Sequence, residues 1–87
     1  MHQVKLLDPA ERDLSRLDKP VGRRVVERLR WFAERFEDLD REPLSGDLAG
    51  LFKLRVGDYR VIYEVISAER IIIVHFIGHR REVYKRR

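Results

Sequence analysis

Apolar residues along this chain keep two different periods. From Gln3 to Leu7 they alternate, with Val4 and Leu6 on one face, which predicts a short first strand. Asp8-Pro9-Ala10-Glu11 then reads as a helix start, with Asp8 as cap, Pro9 in the first helical position and Glu11 placed to answer the cap. This helix spans about Pro9 to Leu17, with Leu14 and Leu17 on one side. Asp18-Lys19-Pro20 interrupts it, because a residue before proline is pushed out of the helical region. Val21, Val25, Leu29, Phe32, Phe36 and Leu39 follow at steps of three and four, predicting a second helix from about Val21 to Phe36 or Leu39. Arg23, Arg24, Glu27, Arg28, Arg30, Glu34 and Arg35 fill most of its other positions. Glu27 with Arg23, and Glu34 with Arg30, are i,i+4 pairs worth about 0.2–0.5 kcal/mol or less. Trp31 sits about one position off the stripe and reads as the edge of the core.

Residues 40–50 read as an irregular link, with Gly46 and Gly50 free to take backbone angles that helices and strands refuse. From Leu51 the period becomes two. Leu51 to Val56, Tyr59 to Ile66 and Ile71 to Ile77 are strand candidates. Val56-Gly57-Asp58-Tyr59 marks a two-residue hairpin turn, and counting outward sets the register: Val56 opposite Tyr59, Leu54 opposite Val61, Phe52 opposite Tyr63. That face is apolar and receives the helices. The other carries Lys53, Arg55, Arg60 and Ile62, with Glu64 beyond. If the turn near Ser67 to Arg70 keeps parity, His75 and Ile77 join the Lys53/Arg60 face, and Ile72, Val74 and Phe76 join the covered one. The expected architecture is α+β: an antiparallel sheet of about four strands, with two N-terminal helices on one face and a partly open basic face opposite.

Length adds one constraint. With 87 residues the chain holds one two-layer core and no second domain. It has no cysteine, which removes disulfides and thiol-based metal sites. No apolar run approaches the roughly 20 residues of a membrane helix, and the N-terminus lacks the core of a signal peptide, so a cytoplasmic location without a membrane partner is expected. Charge is uneven. Residues 1–50 hold ten basic and eleven acidic side chains, net −1; residues 51–87 hold nine and four, net +5. Such a half suits an anionic partner, whether nucleic acid, an acidic protein segment or a membrane surface.

The candidate chemistry narrows by elimination. There is no glycine-rich phosphate loop, and Ser45 has no evident base. His75 and His79 on one strand would lie some 13 Å apart, too far to share a metal. What remains is Lys53, Arg55, Arg60, Arg80, Arg81 and Tyr84. Arg55 opposes Arg60 in the predicted register, and facing like charges are destabilising, so an anion such as phosphate is expected to relieve them. A segment folding back after Gly78 would bring Arg80, Arg81 and Tyr84 to the same surface. Arginine grips phosphate through a fork of donors, and tyrosine stacks on a base or handles a proton.

Two stretches carry a resemblance. Leu51-Phe52-Lys53-Leu54-Arg55-Val56-Gly57-Asp58-Tyr59-Arg60-Val61-Ile62-Tyr63 resembles the central hairpin of the RelE/ParE toxin superfamily, and Ile77-Gly78-His79-Arg80-Arg81-Glu82-Val83-Tyr84 resembles its C-terminal motif in the RelE branch. The likeness covers nearly the whole chain, residues 1–87, as a single RelE-like domain. It implies a toxin of a type II toxin–antitoxin pair, an endoribonuclease that cuts mRNA in the decoding site of the 70S ribosome without metal or organic cofactor. Its partners would be an antitoxin, the ribosome and mRNA. The family's catalytic positions fall on Lys53, Arg60, Arg80 and Tyr84. Arg60 would hold the scissile phosphate, Arg80 would act near the leaving 5′ oxygen, and Tyr84 would orient the codon and assist the 2′-hydroxyl. Arg55, His79, Arg81 and Lys85 complete the expected RNA contacts. Leu51 stands where a second lysine is usual, and the Arg80-to-Tyr84 spacing is short. The resemblance leaves two alternatives: a ParE-like toxin that inhibits DNA gyrase by binding, and a catalytically weak RNA-binding module.

Overall fold

The turn at Gly57-Asp58 organises the sheet. Gly57 has φ of 59° while Asp58 keeps a negative φ, the sign pattern of a type II′ turn, whose twist matches that of its strands. The computed structural model describes residues 1–85; Arg86 and Arg87, the end of the predicted basic tail, lie outside the described residues. In chain order the elements are β1 (Gln3–Leu6), α1 (Asp8–Ser15), α2 (Lys19–Glu34), β2 (Glu42–Pro43), β3 (Phe52–Val56), β4 (Tyr59–Ile66) and β5 (Ile71–His79). Short 3₁₀ turns lie at Phe36–Asp38, Gly46–Leu48, Ser67–Glu69 and Val83–Lys85. The sheet has five strands in the order β1-β5-β4-β3-β2.

The hairpin register is the one obtained by counting, with Val56 opposite Tyr59, Leu54 opposite Val61 and Phe52 opposite Tyr63. Three features differ from expectation. First, β1 runs parallel to β5, with α1 and α2 in the long crossover that parallel pairing requires, so the sheet is mixed. Second, Glu42–Pro43, inside the predicted irregular link, pairs with Lys53 and Phe52 as a two-residue edge strand. Third, β4 and β5 slip by one residue between Ile62 and Tyr63: Ile62 faces Phe76 and Tyr63 faces Val74, which leaves His75 as the extra residue of a β-bulge. The bulge reverses parity beyond it. Ile77, opposite Val61, enters the helix-covered core, and Phe76 moves to the other face, the reverse of the predicted assignment.

Both helices pack as their stripes require. Val25, Leu29, Phe32 and Phe36 are buried against Val61, Tyr63, Ile72, Val74 and Ile77, with Phe52, Leu54, Leu14 and Trp31 partly buried around them. Each fully buried side chain of this size contributes roughly 1.5–3 kcal/mol. α2 stops where Arg35 leaves helical geometry at φ −116°, and the following 3₁₀ turn keeps Phe36 in the core. The predicted cap at Asp8 is not formed: Leu7 is the capping residue and Asp8 lies inside α1, where its charge favours the positive helix N-terminus. Nor do Glu27 or Glu34 form an ion pair among the described residues. A less obvious tie joins α1 to the sheet. Asp13 is buried, and its Oδ2 accepts the Ile77 N–H at 3.0 Å, on the stretch of β5 that β1 no longer covers. Among the described residues no helix is long and apolar enough to cross a membrane.

Candidate functional site

The basic face takes shape at the hairpin tip. Arg55 on β3 opposes Arg60 on β4, and Arg60 in turn opposes Gly78 on β5. Their repulsion is relieved within the protein. Arg55 Nη2 lies 3.1 Å from Glu42 Oε1, a carboxylate supplied by the unforeseen strand β2. Arg60 Nη1 donates to the carbonyls of Gly57 and Tyr59, both at 2.9 Å. The facing arginines therefore do not require a bound anion, which corrects the argument from like charge. Lys53 is half-buried on the same face, beside Ile62, with no ion-pair partner among the described residues.

The C-terminal segment folds back at the end of β5, which brings Arg80 to the hairpin tip but leaves the Tyr84 hydroxyl turned away from solvent. The Arg80 N–H donates to Asp58 O at 2.8 Å, and Arg80 Nε stands 3.9 Å from Asp58 Oδ1 in a loose, exposed pair. Arg60 and Arg80, twenty residues apart in sequence, are thus both tied to residues 57–59. The next turn is held by Glu82 N–H to His79 O at 2.9 Å and Lys85 N–H to Glu82 O at 3.0 Å. Val83 is buried over Gly78, where a Cβ would lie only 3.4 Å from the Val83 Cβ. A bare Cβ there would make close but ordinary contact with Val83, so only a bulkier side chain would crowd the segment. Arg81 and Lys85 are exposed. Tyr84 is half-buried, and its hydroxyl is inaccessible, with no partner among the described residues. The His79 ring meets Tyr59 edge-on at 5.6 Å, and its Nδ1 accepts the Arg81 N–H at 3.2 Å. That contact places the proton of the neutral ring on Nε2.

One pair on this face escaped the sequence reading. His75 Nε2 lies 2.9 Å from Glu64 Oε1. Strand parity already put both residues on the Lys53/Arg60 face, but their contact depends on the bulge that re-aims His75. The face also has an apolar floor. Ile62 is completely buried although it lies outside the helix-covered core, and Phe76 is its cross-strand neighbour. Chemically, the surface offers planar and point cations to an anion, with imidazoles at its margin. No group of three metal-ligating side chains occurs among the described residues.

Comparison with known proteins matches this arrangement to a family. A model for the ParE toxin of the type II toxin–antitoxin system parDE matches residues 4–84. The chain is similar to toxin RelG of Mycobacterium tuberculosis, with 34% identity over 91 residues covering 98% of each chain. It is also 34% identical to toxin RelE of that organism over 87 residues, covering 97% of this chain and 87% of the relative. Among solved structures it resembles the toxin–antitoxin complex RelBE2 of M. tuberculosis, with a TM-score of 0.81, 26% identity, and 90% and 96% of the two chains covered.

Proposed function

The chain belongs to the RelE/ParE superfamily of type II toxins, and from that premise we propose that it is an endoribonuclease that cuts mRNA held in the ribosomal A site. The observation that carries this reading is the convergence of Arg60 and Arg80 on the hairpin tip, with Lys53 on the same face as Arg60. RNA carries its own nucleophile. Its 2′-hydroxyl gives up a proton to solvent and attacks the adjacent phosphorus, the bond to the 5′ oxygen breaks, that oxygen takes up a proton from solvent, and the products are a 2′,3′-cyclic phosphate and a 5′-hydroxyl. The protein has to align these atoms and offset charge on the non-bridging oxygens. No metal is required for either task.

Arg60 and Lys53 take the phosphate in this scheme. Arg60 is parked on two neutral carbonyls, and a phosphate displaces them because hydrogen bonds to an ionised acceptor are roughly twice as strong. Arg80, whose Asp58 contact is long and exposed, stabilises charge on the leaving oxygen. Tyr84 orients the codon through its ring, its hydroxyl being inaccessible while the Val83–Lys85 turn stays in place, and Arg55, His79, Arg81 and Lys85 hold neighbouring nucleotides. An antitoxin is the second partner, as in the RelBE2 complex that the fold resembles. A site that works by alignment gains from a strand already held in place, hence the dependence on the ribosome.

Mapping mRNA 5′ ends in a translation mixture with and without the protein tests the reading. Arg60→Ala and Arg80→Ala should each slow cleavage by roughly 10²-fold or more. A 2′-deoxy nucleotide at the cut site should abolish it. Full activity of the double variant, or cutting of the deoxy substrate, would sink the mechanism. The matched family description, ParE, favours a second reading, inhibition of DNA gyrase by binding alone. Loss of supercoiling activity with no new mRNA ends would select it.

A further inference from the structure

A cleft of about 300 Å³ lies between α2 and the hairpin tip, lined by Arg24, Glu27, Arg28, Trp31, Val56 and Gly57. It flanks the same turn whose Gly57 carbonyl holds Arg60, but from the helix-covered side. Arg24 Nη1 lies 3.7 Å from where a Gly57 Cβ would be. Trp31 carries two guanidinium groups, Arg28 Cζ at 4.9 Å and Arg35 Cζ at 5.2 Å from the ring centroid. Arg24, Arg28 and Arg35 are exposed, and none forms an ion pair among the described residues. This concentration occurs in the half of the chain whose net charge is −1, so general basicity does not explain it.

Contact with an indole restricts a guanidinium, so less freedom is lost when its free N–H groups meet a planar anion; Arg35 also donates Nη1 to the Trp31 carbonyl at 3.5 Å, which fixes it further and leaves its other N–H groups for a ligand. Unstacked lysines would serve solubility equally well. Arginine forks fit phosphate oxygens in pairs, and a phosphodiester chain supplies such oxygens at every nucleotide. The hairpin tip joins this surface to the candidate site, with Arg60 and Arg80 on one flank and Arg24 on the other. We propose that the Trp31 face of α2, with Arg24, Arg28 and Arg35, is a second RNA-contacting surface that grips the backbone of structured RNA beside the strand being cut. This rests on the ribosome-dependent reading above, in which the neighbouring RNA is ribosomal.

The test measures binding of the whole protein to mRNA-programmed ribosomes between about 50 and 300 mM salt. Arg28→Gln/Arg35→Gln should weaken binding by roughly tenfold or more at low salt. It should also lower the slope of log affinity against log salt by about 0.7–0.9 for each phosphate that the variant no longer neutralises. The single-turnover cleavage rate at saturating ribosome should stay within about twofold, because neither residue touches the reacting atoms. Arg28→Lys/Arg35→Lys, which keeps charge without the planar fork, should recover the binding only in part. Unchanged affinity and salt slope in a folded Gln variant would overturn the proposal. So would intact ribosome binding combined with a failure to bind antitoxin, which would assign the face to an acidic protein. If the wild type binds ribosomes but cuts nothing, the nuclease reading fails, while the comparison of variants still decides this one.

Discussion

The hydroxyl of Tyr63 is sealed in the core with no partner among the described residues. Burial pushes its pKa from 10.0 up to about 12, with the Arg41 charge opposing the rise and Glu42 adding to it. An unfolded tyrosine ionises near 10, so the folded state holds its proton more tightly between about pH 10 and 12. Stability should therefore be unaffected by this group below about pH 10 and fall as pH rises through that window, by roughly 2–3 kcal/mol. Tyr63→Phe should remove that alkaline loss and be neutral or slightly stabilising at pH 7, since it deletes an unsatisfied hydroxyl without changing shape. Urea unfolding of both proteins at pH 7 and pH 11.5 reads the difference, and equal slopes against pH would refute it. Tyr84 poses a related question at the surface. Its hydroxyl also lacks a partner among the described residues, so Tyr84→Phe should leave stability unchanged or slightly higher. A cleavage rate that nevertheless falls sharply would mean that the hydroxyl works only after the Val83–Lys85 turn shifts. A near-normal rate would leave the ring a stacking role.

The elements show which parts of the structure local sequence specifies. A two-residue turn leaves one register, so Gly57-Asp58 made the β3–β4 face assignments readable by counting. The Val25-Leu29-Phe32-Phe36 stripe was legible because one helical face meets one core. The bulge was not, because His75 is extra only relative to β4, and no feature of residues 71–79 alone reveals a slip. Two residues of β2 are too few to show a period, yet they bring the Glu42 that neutralises Arg55. Nothing in the sequence sets Asp13 apart from the other polar residues of α1, because its burial against Ile77 is a tertiary contact. Asp13→Ala should strip that buried N–H of its acceptor and cost about 1–3 kcal/mol in urea unfolding. No measurable loss would mean the contact is replaced. Gly78 has the opposite logic, since its value lies in what is missing. Gly78→Val should drive Val83 off the sheet and speed amide exchange across residues 80–85 with little effect on exchange in β1. Unchanged protection of that segment would show that Gly78 is not its seat.

At the scale of the whole molecule, charge is arranged by region more than by total. The formal net charge is only +4, but residues 51–87 carry +5, and among the described residues Arg55, Arg60, Arg80 and Arg81 gather near the hairpin tip and the C-terminal turn. The molecule measures 32 × 30 × 22 Å. Screening lengths of about 14 Å at 50 mM salt and about 4 Å at 500 mM straddle the size of such a region. At low salt an approaching partner feels the whole basic face, and at high salt only the side chains it touches. We therefore expect an acidic antitoxin to associate with this protein at least about tenfold faster at 50 mM than at 500 mM salt, with a much smaller change in dissociation rate. Arg80→Gln/Arg81→Gln should flatten that dependence, because it removes two exposed cations from the tip without touching the core. Stopped-flow association across the salt series provides both readings. A rate that does not vary with salt in the wild type would mean that docking is limited by displacing the Val83–Lys85 turn. In that case Gly78→Val, with the turn already dislodged, should bind faster at every salt concentration.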